Sequence, residues 1–284
     1  MEVAEEFGKV IGMADRVIAV YFSPTGTTQK IVSAIALEIA RILEVPVACY
    51  DFTLPMARST VLTLKKTDIV VLGTPVYAGR VPNVLLKYLA TVEGNEAIGI
   101  PVVLFGNRDY DDALIELRDI MERAGLHTMA AAAFIGEHSF SRVLAKGRPD
   151  ERDMETASAF AVRVVEKCKK GYDIKVSVEV KGMPYPYRGY YTPRDRKGNA
   201  VDIRKVKPLT DEKCNDCKLC ALVCPMGSIS YEDVRLFTGI CIKCGACIKR
   251  CPTGAKYYED AGYLYHQHEL EEGLKERREP ELFL

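Results

Sequence analysis

The chain has 284 residues, enough for two domains, and 48% of them are hydrophobic, which supports a buried core. Its 39 basic residues balance 39 acidic ones, and this argues against nucleic-acid binding, which requires a basic excess on one face. No apolar stretch approaches the roughly 18 residues of a membrane span, and the acidic N-terminus does not resemble a signal peptide. We therefore predict a cytoplasmic protein without a membrane span.

Residues 1–172 are predicted to form the first domain. Apolar runs predict strands at 17–22, 45–51, 68–73, 101–106 and 128–135, and amphipathic patterns predict helices at 27–43, 82–93, 111–125 and 151–170. Runs such as VIAVYF and DIVVLG are rich in Val and Ile, which is typical of parallel strands buried on both faces. The pattern predicts an α/β fold with a doubly wound, five-stranded parallel sheet.

The loop SPTGTT, residues 23–28, joins the first predicted strand to the first predicted helix. Hydroxyl side chains and a glycine at a helix N-terminus direct several backbone N–H groups toward one point, which suits a phosphate dianion. The loop lacks the glycine and lysine patterns of triphosphate and dinucleotide sites. An ordinary capped turn is the alternative interpretation.

Two further loops, GTPVYAG at 73–79 and GNRDYDD at 106–112, follow the third and fourth predicted strands. Ligands of doubly wound sheets lie beyond the carboxyl ends of the strands, where the strand order reverses, so we expect all three loops to meet there. Each of the two carries glycine and a tyrosine, Tyr77 or Tyr110, which is able to cover a planar ring. The alternative is that both are ordinary surface aromatics.

A fourth loop, GEHSFSRVLAKGRPD, follows the fifth predicted strand and is a candidate lid or substrate-recognition segment. It contains His138, Arg142 and Arg148, although a lone histidine is more often structural than catalytic. Residues 173–207 then form a connector dense in Pro, Gly and Tyr. We expect its tyrosines to pack between two domains, because such large rigid side chains are unsuited to a solvated tether.

Eight cysteines form two copies of one motif, three cysteines two residues apart and a fourth before proline, offset by 27 residues. This spacing is typical of paired [4Fe–4S] clusters, in which the fourth cysteine of each copy binds the other cluster. It predicts Cys214, Cys217, Cys220 and Cys251 for one cluster, and Cys241, Cys244, Cys247 and Cys224 for the other. Structural zinc or disulfides are the alternatives, and the isolated Cys49 and Cys168 are interpreted as small buried residues.

These motifs together resemble the flavodoxin–ferredoxin fusion proteins of anaerobic bacteria and archaea, and SPTGTT resembles the FMN phosphate loop of flavodoxins. The resemblance implies a flavodoxin-like domain, a ferredoxin domain at 208–263 and a helical tail at 264–284. It also implies one FMN beside two [4Fe–4S] clusters. The implied phosphate ligands are Ser23, Thr25, Gly26, Thr27 and Thr28, and the implied ring contacts are Thr74, Pro75, Val76, Tyr77, Gly79, Gly106, Asn107, Arg108, Tyr110 and Asp112.

The expected function is electron transfer between the two clusters and FMN, from a ferredoxin-type donor protein to a partner redox enzyme. The alternative is an FMN-dependent reductase that delivers a hydride to a small organic acceptor. Arg108 and the fused cluster domain depart from flavodoxins that act as free carriers, so the role of a free shuttle is not carried over. The donor, acceptor, potentials and oligomeric state are not assigned by the sequence.

Overall fold

The computed structural model describes residues 14–284; the acidic N-terminus and the start of the predicted first domain lie outside the described residues. The strands are β1 (Arg16–Tyr21), β2 (Val47–Asp51), β3 (Asp68–Pro75), β4 (Ile98–Phe105), β5 (His127–Thr128), β6 (Ala131–Ile135), β7 (Leu209–Thr210), β8 (Lys256–Tyr257) and β9 (Glu281–Phe283). The helices are α1 (Thr27–Leu43), α2 (Asn83–Leu89), α3 (Ala113–Arg123), α4 (Glu151–Lys170), α5 (Leu219–Leu222), α6 (Ala246–Lys249) and α7 (Ala261–Gly273), and a 3₁₀ turn covers Pro55–Ser59.

The large sheet has the strand order β2-β1-β3-β4-β6, with these strands parallel and the short β5 also paired to β4. This is the order of a flavodoxin-like, doubly wound sheet, and it reverses between β1 and β3. The predicted fold class is therefore confirmed. Across residues 14–284, no helix combines the length and apolar composition needed to cross a lipid bilayer.

Successive strand residues point to opposite faces of the sheet, and both faces are covered by helices. Val17, Ala19 and Tyr21 of β1 belong to the core beneath α1 and α4, whereas Ile18 and Val20 belong to the core beneath α2 and α3. The strands are apolar along their whole length because neither face meets water. This burial holds the carboxyl ends of β1, β3 and β4 at one edge.

The C-terminal segment differs from the predicted helical tail. Helix α7 ends at Gly273, and the chain then returns to the large sheet as β9, antiparallel to β6. The side chain of Asn107 holds this return, because its Nδ2 donates to the carbonyl oxygens of Leu274 (2.8 Å) and Glu276 (2.9 Å). The iron–sulfur segment is thus attached to the sheet on both sides, by the connector and by the tail.

We expect Asn107→Ala to release the tail locally. The variant loses two hydrogen bonds of about 1 kcal/mol each, about 2 kcal/mol together. Amide exchange at 281–283 should then accelerate roughly 30-fold, whereas exchange in β1 should not change. Hydrogen-exchange mass spectrometry of the full chain measures both segments. Asn199→Ala is the matched control, because this exposed amide bonds only to Asp195 in its own turn; equal exchange in the two variants would contradict the tail contact.

Candidate functional site

The eight motif cysteines surround two small cavities in the C-terminal domain. One cavity, which we call the outer cavity, is lined by Cys214, Cys217, Cys220 and Cys251. The other, which we call the inner cavity, is lined by Cys224, Cys241, Cys244 and Cys247. Each cavity therefore takes three cysteines from one copy of the motif and the fourth from the other copy, the crossed arrangement expected from the spacing.

The two cavities differ in their access to solvent. Cys217 of the outer cavity is exposed, whereas Cys244 and Cys247 of the inner cavity are buried. Burial raises the pKa of the Cys244 thiol to about 12, so its thiolate needs a nearby positive charge such as iron. All ten cysteines lie in the described part of the chain and none forms a disulfide, so the disulfide alternative is wrong. Cys168 is buried as predicted, but Cys49 is exposed.

The SPTGTT loop has the geometry of an anion site. Gly26 precedes α1 with a left-handed φ of 88°, and no other heavy atom lies within 4 Å of the position that a Cβ would occupy. The Ser23 hydroxyl accepts a hydrogen bond from the Gln29 amide at 2.9 Å and so satisfies one first-turn N–H group of the helix. The first-turn amides of Thr27 and Thr28 have no carbonyl partner inside the helix, so their N–H groups are available to donate hydrogen bonds to an anion.

The loop after β3 lies beside this anion site and also beside the inner cavity. The Thr74 hydroxyl is fully buried and has no hydrogen-bond partner within residues 14–284, the state expected of a group that meets a ligand. The loop closes in a tight turn with left-handed backbone at Ala78 and Gly79. The pKa of Tyr77 is raised well above its ordinary value, first by burial and then by the sulfurs of Cys244 and Cys241.

The structure uses the loop at 106–112 differently from the prediction. Tyr110 is only 3% exposed, packs on Phe105 with ring centroids 5.4 Å apart, and donates its hydroxyl to Glu281 of β9 at 3.0 Å. It therefore lies in the core instead of covering a planar ring. Asn107, as described above, binds the tail. Arg108 is paired with Asp111 and lies 4.5 Å from the ring centroid of Tyr191.

Asp112, another predicted ring contact, is fully buried and binds the connector. Its carboxylate accepts hydrogen bonds from the amides of Met183 (2.8 Å) and Arg188 (2.7 Å). The connector is consequently ordered against the first domain. Two of its tyrosines bind the first domain: the Tyr187 hydroxyl donates to the Asp119 carboxylate, and the Tyr190 hydroxyl donates to the Val81 carbonyl.

Tyr185, in contrast, is 78% exposed, so the prediction that it packs between the domains is wrong. Tyr191 is the connector tyrosine that reaches the C-terminal helix, where its ring centroid lies 6.0 Å from that of His266. Its backbone amide donates to the Ala78 carbonyl at 2.8 Å, which ties the connector to the turn after β3.

The loop after β6 is a domain contact, and its three predicted recognition residues are engaged internally. Arg142 donates to the Ile248 carbonyl at 2.9 Å, and Arg148 is buried in an ion pair with Asp153. His138 covers Gly106 so closely that a Cβ at that glycine would overlap its imidazole. These side chains therefore hold the loop and do not face an open substrate pocket.

Lys249 makes the densest polar contact between the domains. Its Nζ donates to the carboxylate of Glu137 and to the carbonyls of His138 (2.7 Å) and Ser141 (3.0 Å). Arg58 adds a second contact at the inner cavity, because it donates to the carbonyl of Pro225 at 2.5 Å. Neither role was predicted from the sequence, because Lys249 lies inside a cysteine motif whose spacing indicates only the cluster ligands, and Arg58 lies outside every motif.

Parts of the chain are similar to known proteins. Residues 213–256 match the family described as a 4Fe-4S dicluster domain. Similar solved structures include a flavodoxin from the domain Archaea, with 17% identity, 54% of this chain and 99% of that chain covered, and a TM-score of 0.38. Another is the flavodoxin of Streptococcus pneumonia TIGR4, with 20% identity, 53% and 97% covered, and a TM-score of 0.37. No curated protein sequence matches significantly.

The flavodoxin-like assignment of the first domain follows from its own strand order, and the matched segment defines the second domain as an iron–sulfur domain. The chain thus combines a flavodoxin-like sheet with a segment similar to 4Fe-4S dicluster domains.

The partly buried imidazole of His138 predicts acid sensitivity of the domain contact. Burial first, and then the positive charge of Lys249, lower its pKa to about 3. An unfolded histidine has a pKa of about 6.5, so between these values the unfolded chain binds one more proton and stability falls as the pH falls. By pH 5.5 the loss should reach about 1.4 kcal/mol relative to neutral pH. His138→Phe should remove this loss in urea denaturation followed by circular dichroism, and equal pH dependence in both proteins would contradict the assignment.

Proposed function

We propose that the protein transfers electrons within one chain, between two [4Fe–4S] clusters and one FMN, from a ferredoxin-type donor protein to a partner redox enzyme. FMN supplies the ability to accept electrons singly and release them as a pair. The chain's own residues hold the three groups in a fixed order. The cytoplasmic location remains a prediction.

The FMN proposal is supported by two features of the sheet edge. Thr25, Gly26, Thr27 and Thr28 offer hydroxyls, amides and the positive end of a 17-residue helix to a terminal phosphate. The partnerless Thr74 hydroxyl and the loop that contains Tyr77 lie at the neighbouring strand end. The switch between β1 and β3, where the flavodoxin-like topology places a ligand, lies between these two loops.

The observation that carries the proposal is the position of the inner cavity against the loop after β3. The sulfurs of Cys241 and Cys244 lie near enough to Tyr77 to raise its pKa. Gly245, between two inner-cavity cysteines, packs so closely on the Ser139 carbonyl that a Cβ there would overlap it. A cluster in the inner cavity is therefore adjacent to the proposed flavin site, whereas the exposed Cys217 gives an external donor access to the outer cavity.

The proposed cofactors are tested by composition. We expect about eight iron and eight acid-labile sulfide atoms per chain and one FMN released on denaturation. Cys251→Ala should damage the outer cluster, although this residue belongs to the second motif, and Cys224→Ala should damage the inner cluster. Metal analysis, chromatography of the flavin and electron paramagnetic resonance of the two variants measure these outcomes. Recovery of FAD, or cluster loss in the opposite sense, would contradict the assignment.

The proposed electron path is tested at the domain contact. Lys249→Ala removes charged hydrogen bonds to three acceptors, and a loss of about 3 kcal/mol corresponds to a roughly hundredfold weaker docking equilibrium. We therefore expect slower cluster-to-flavin transfer after rapid photoreduction, with both cofactors still bound. Flavin absorbance is the readout. Exposed Lys146→Ala is the matched control, and an unchanged rate in fully loaded Lys249→Ala would mean that this contact does not set the path.

The alternative function, a reductase acting on a small organic substrate, has less support. Arg142, Arg148 and His138, the side chains expected to recognise such a substrate, are engaged in the contacts described above. Mixing the reduced protein with candidate acceptors distinguishes the two functions. Prompt reoxidation by a small molecule in the absence of a partner protein would favour the reductase.

A further inference from the structure

The iron–sulfur domain is built from two structural halves related by the 27-residue offset of the cysteine motifs. Helix α6 lies 27 residues after α5 at both of its ends. Left-handed backbone occurs at Asp216 (φ 56°) and again at Lys243 (φ 56°). It also occurs at Gly227 (φ 59°) and Gly254 (φ 70°). The two halves therefore share these local backbone features, and residues 27 positions apart can be compared between the two cavities.

Strand pairing extends this equivalence to the residues that line the cavities. Ile229 forms an isolated bridge to Phe237, and Lys256 pairs with Thr210. Lys256 lies 27 residues after Ile229, and Phe237 lies 27 residues after Thr210. The pair of Ile229 with Phe237 is therefore equivalent to the pair of Lys256 with Thr210, with the two halves interchanged. Ile229 and Lys256 consequently occupy one structural position, once in each half.

This shared position differs in charge. Ile229 is 6% exposed and lines the inner cavity, whereas Lys256 is 3% exposed and lines the outer cavity. The Lys256 ammonium donates to the Val234 carbonyl at 2.5 Å. Within residues 14–284 no carboxylate forms an ion pair with it, and the Val234 carbonyl is its hydrogen-bond partner. A buried ammonium without a carboxylate partner is costly unless another negative group lies close by.

We propose that Lys256 raises the reduction potential of the cluster in the outer cavity relative to that of the cluster in the inner cavity. The inference rests on the two-cluster part of the proposed function. One-electron reduction adds one negative charge to a four-iron cluster. A positive charge at the cavity wall stabilises the reduced form more than the oxidised form, and does so strongly in a medium of low dielectric constant.

The ammonium acts on both clusters but borders only one cavity. Its Nζ lies 5.4 Å from the ring centroid of Phe237, a residue that lines the inner cavity. Because Lys256 itself lines the outer cavity, the effect there is the larger one. The outer cluster is then the first to be reduced, and it is also the one with an exposed cysteine. The solvent exposure of a cluster also affects its reduction potential. The contribution of the charge is therefore tested by substitutions at Lys256 and Ile229.

The experiment is an anaerobic titration of the full-length holoprotein with dithionite and viologen mediators, followed by electron paramagnetic resonance. Lys256→Met should lower the potential of the outer cluster, and Ile229→Lys should raise that of the inner cluster. We expect each change to shift the electron-exchange equilibrium between the clusters at least tenfold, which is 59 mV for one electron. Cys217→Ser identifies the signal of the outer cluster.

Two conservative variants separate charge from packing. Lys256→Arg keeps the positive charge and should retain the wild-type potential, and Ile229→Met keeps an apolar side chain and should do the same. If Lys256→Met does not assemble, the Ile229→Lys and Lys256→Arg titrations decide. Unchanged potentials in both Lys256→Met and Ile229→Lys, or a larger shift at the inner cluster than at the outer cluster in Lys256→Met, would overturn the inference and leave the proposed function standing, provided that the variants hold eight iron atoms. Four iron atoms in the wild type would instead overturn the two-cluster proposal.

Discussion

The attachment of the iron–sulfur domain at both of its ends is the constraint on which the arrangement of sites depends. The connector binds the first domain through the buried carboxylate of Asp112, and the tail returns as β9 beside β6. A domain tethered twice over short spans has a high effective concentration at its docking surface. Modest contacts between the domains are then sufficient to keep the inner cavity at the carboxyl edge of the sheet.

Those contacts are polar, and this makes the docked geometry specific. Lys249 satisfies three partly buried acceptors at once, and a displaced domain would leave them without this donor. Gly106 and Gly245 serve the same geometry, because each admits a group from another segment where a Cβ would overlap it. Gly106 belongs to a loop that was predicted to contact a ligand, but its lack of a Cβ is required by the packing of His138. A glycine in the sequence does not by itself distinguish a ligand contact from close packing of side chains.

The sequence predicted the elements whose signal is local. Val and Ile runs predicted the parallel strands, and cysteine spacing predicted which four thiols share each cavity, since both patterns follow from the geometry of a short segment. It did not predict β9, because its three residues pair with β6 across more than 140 positions, or the engagement of Tyr110 by Glu281. A loop is able to face a ligand only if no distant segment of the chain covers it. Contacts with distant segments leave no pattern in the local sequence.

The covered loop after β3 also explains why a free shuttle is a poor description of this chain. A carrier that works alone must expose its flavin edge to each partner, whereas here Tyr77 lies near Cys241 and Cys244 of the same molecule. Under the proposed function, electrons reach that edge through the chain's own clusters, at a rate independent of protein concentration. Encounter with a donor is then confined to the outer cavity, where Cys217 is exposed. The donor is therefore selected by the surface of the iron–sulfur domain, and the flavin site is free to be tuned without regard to donor recognition.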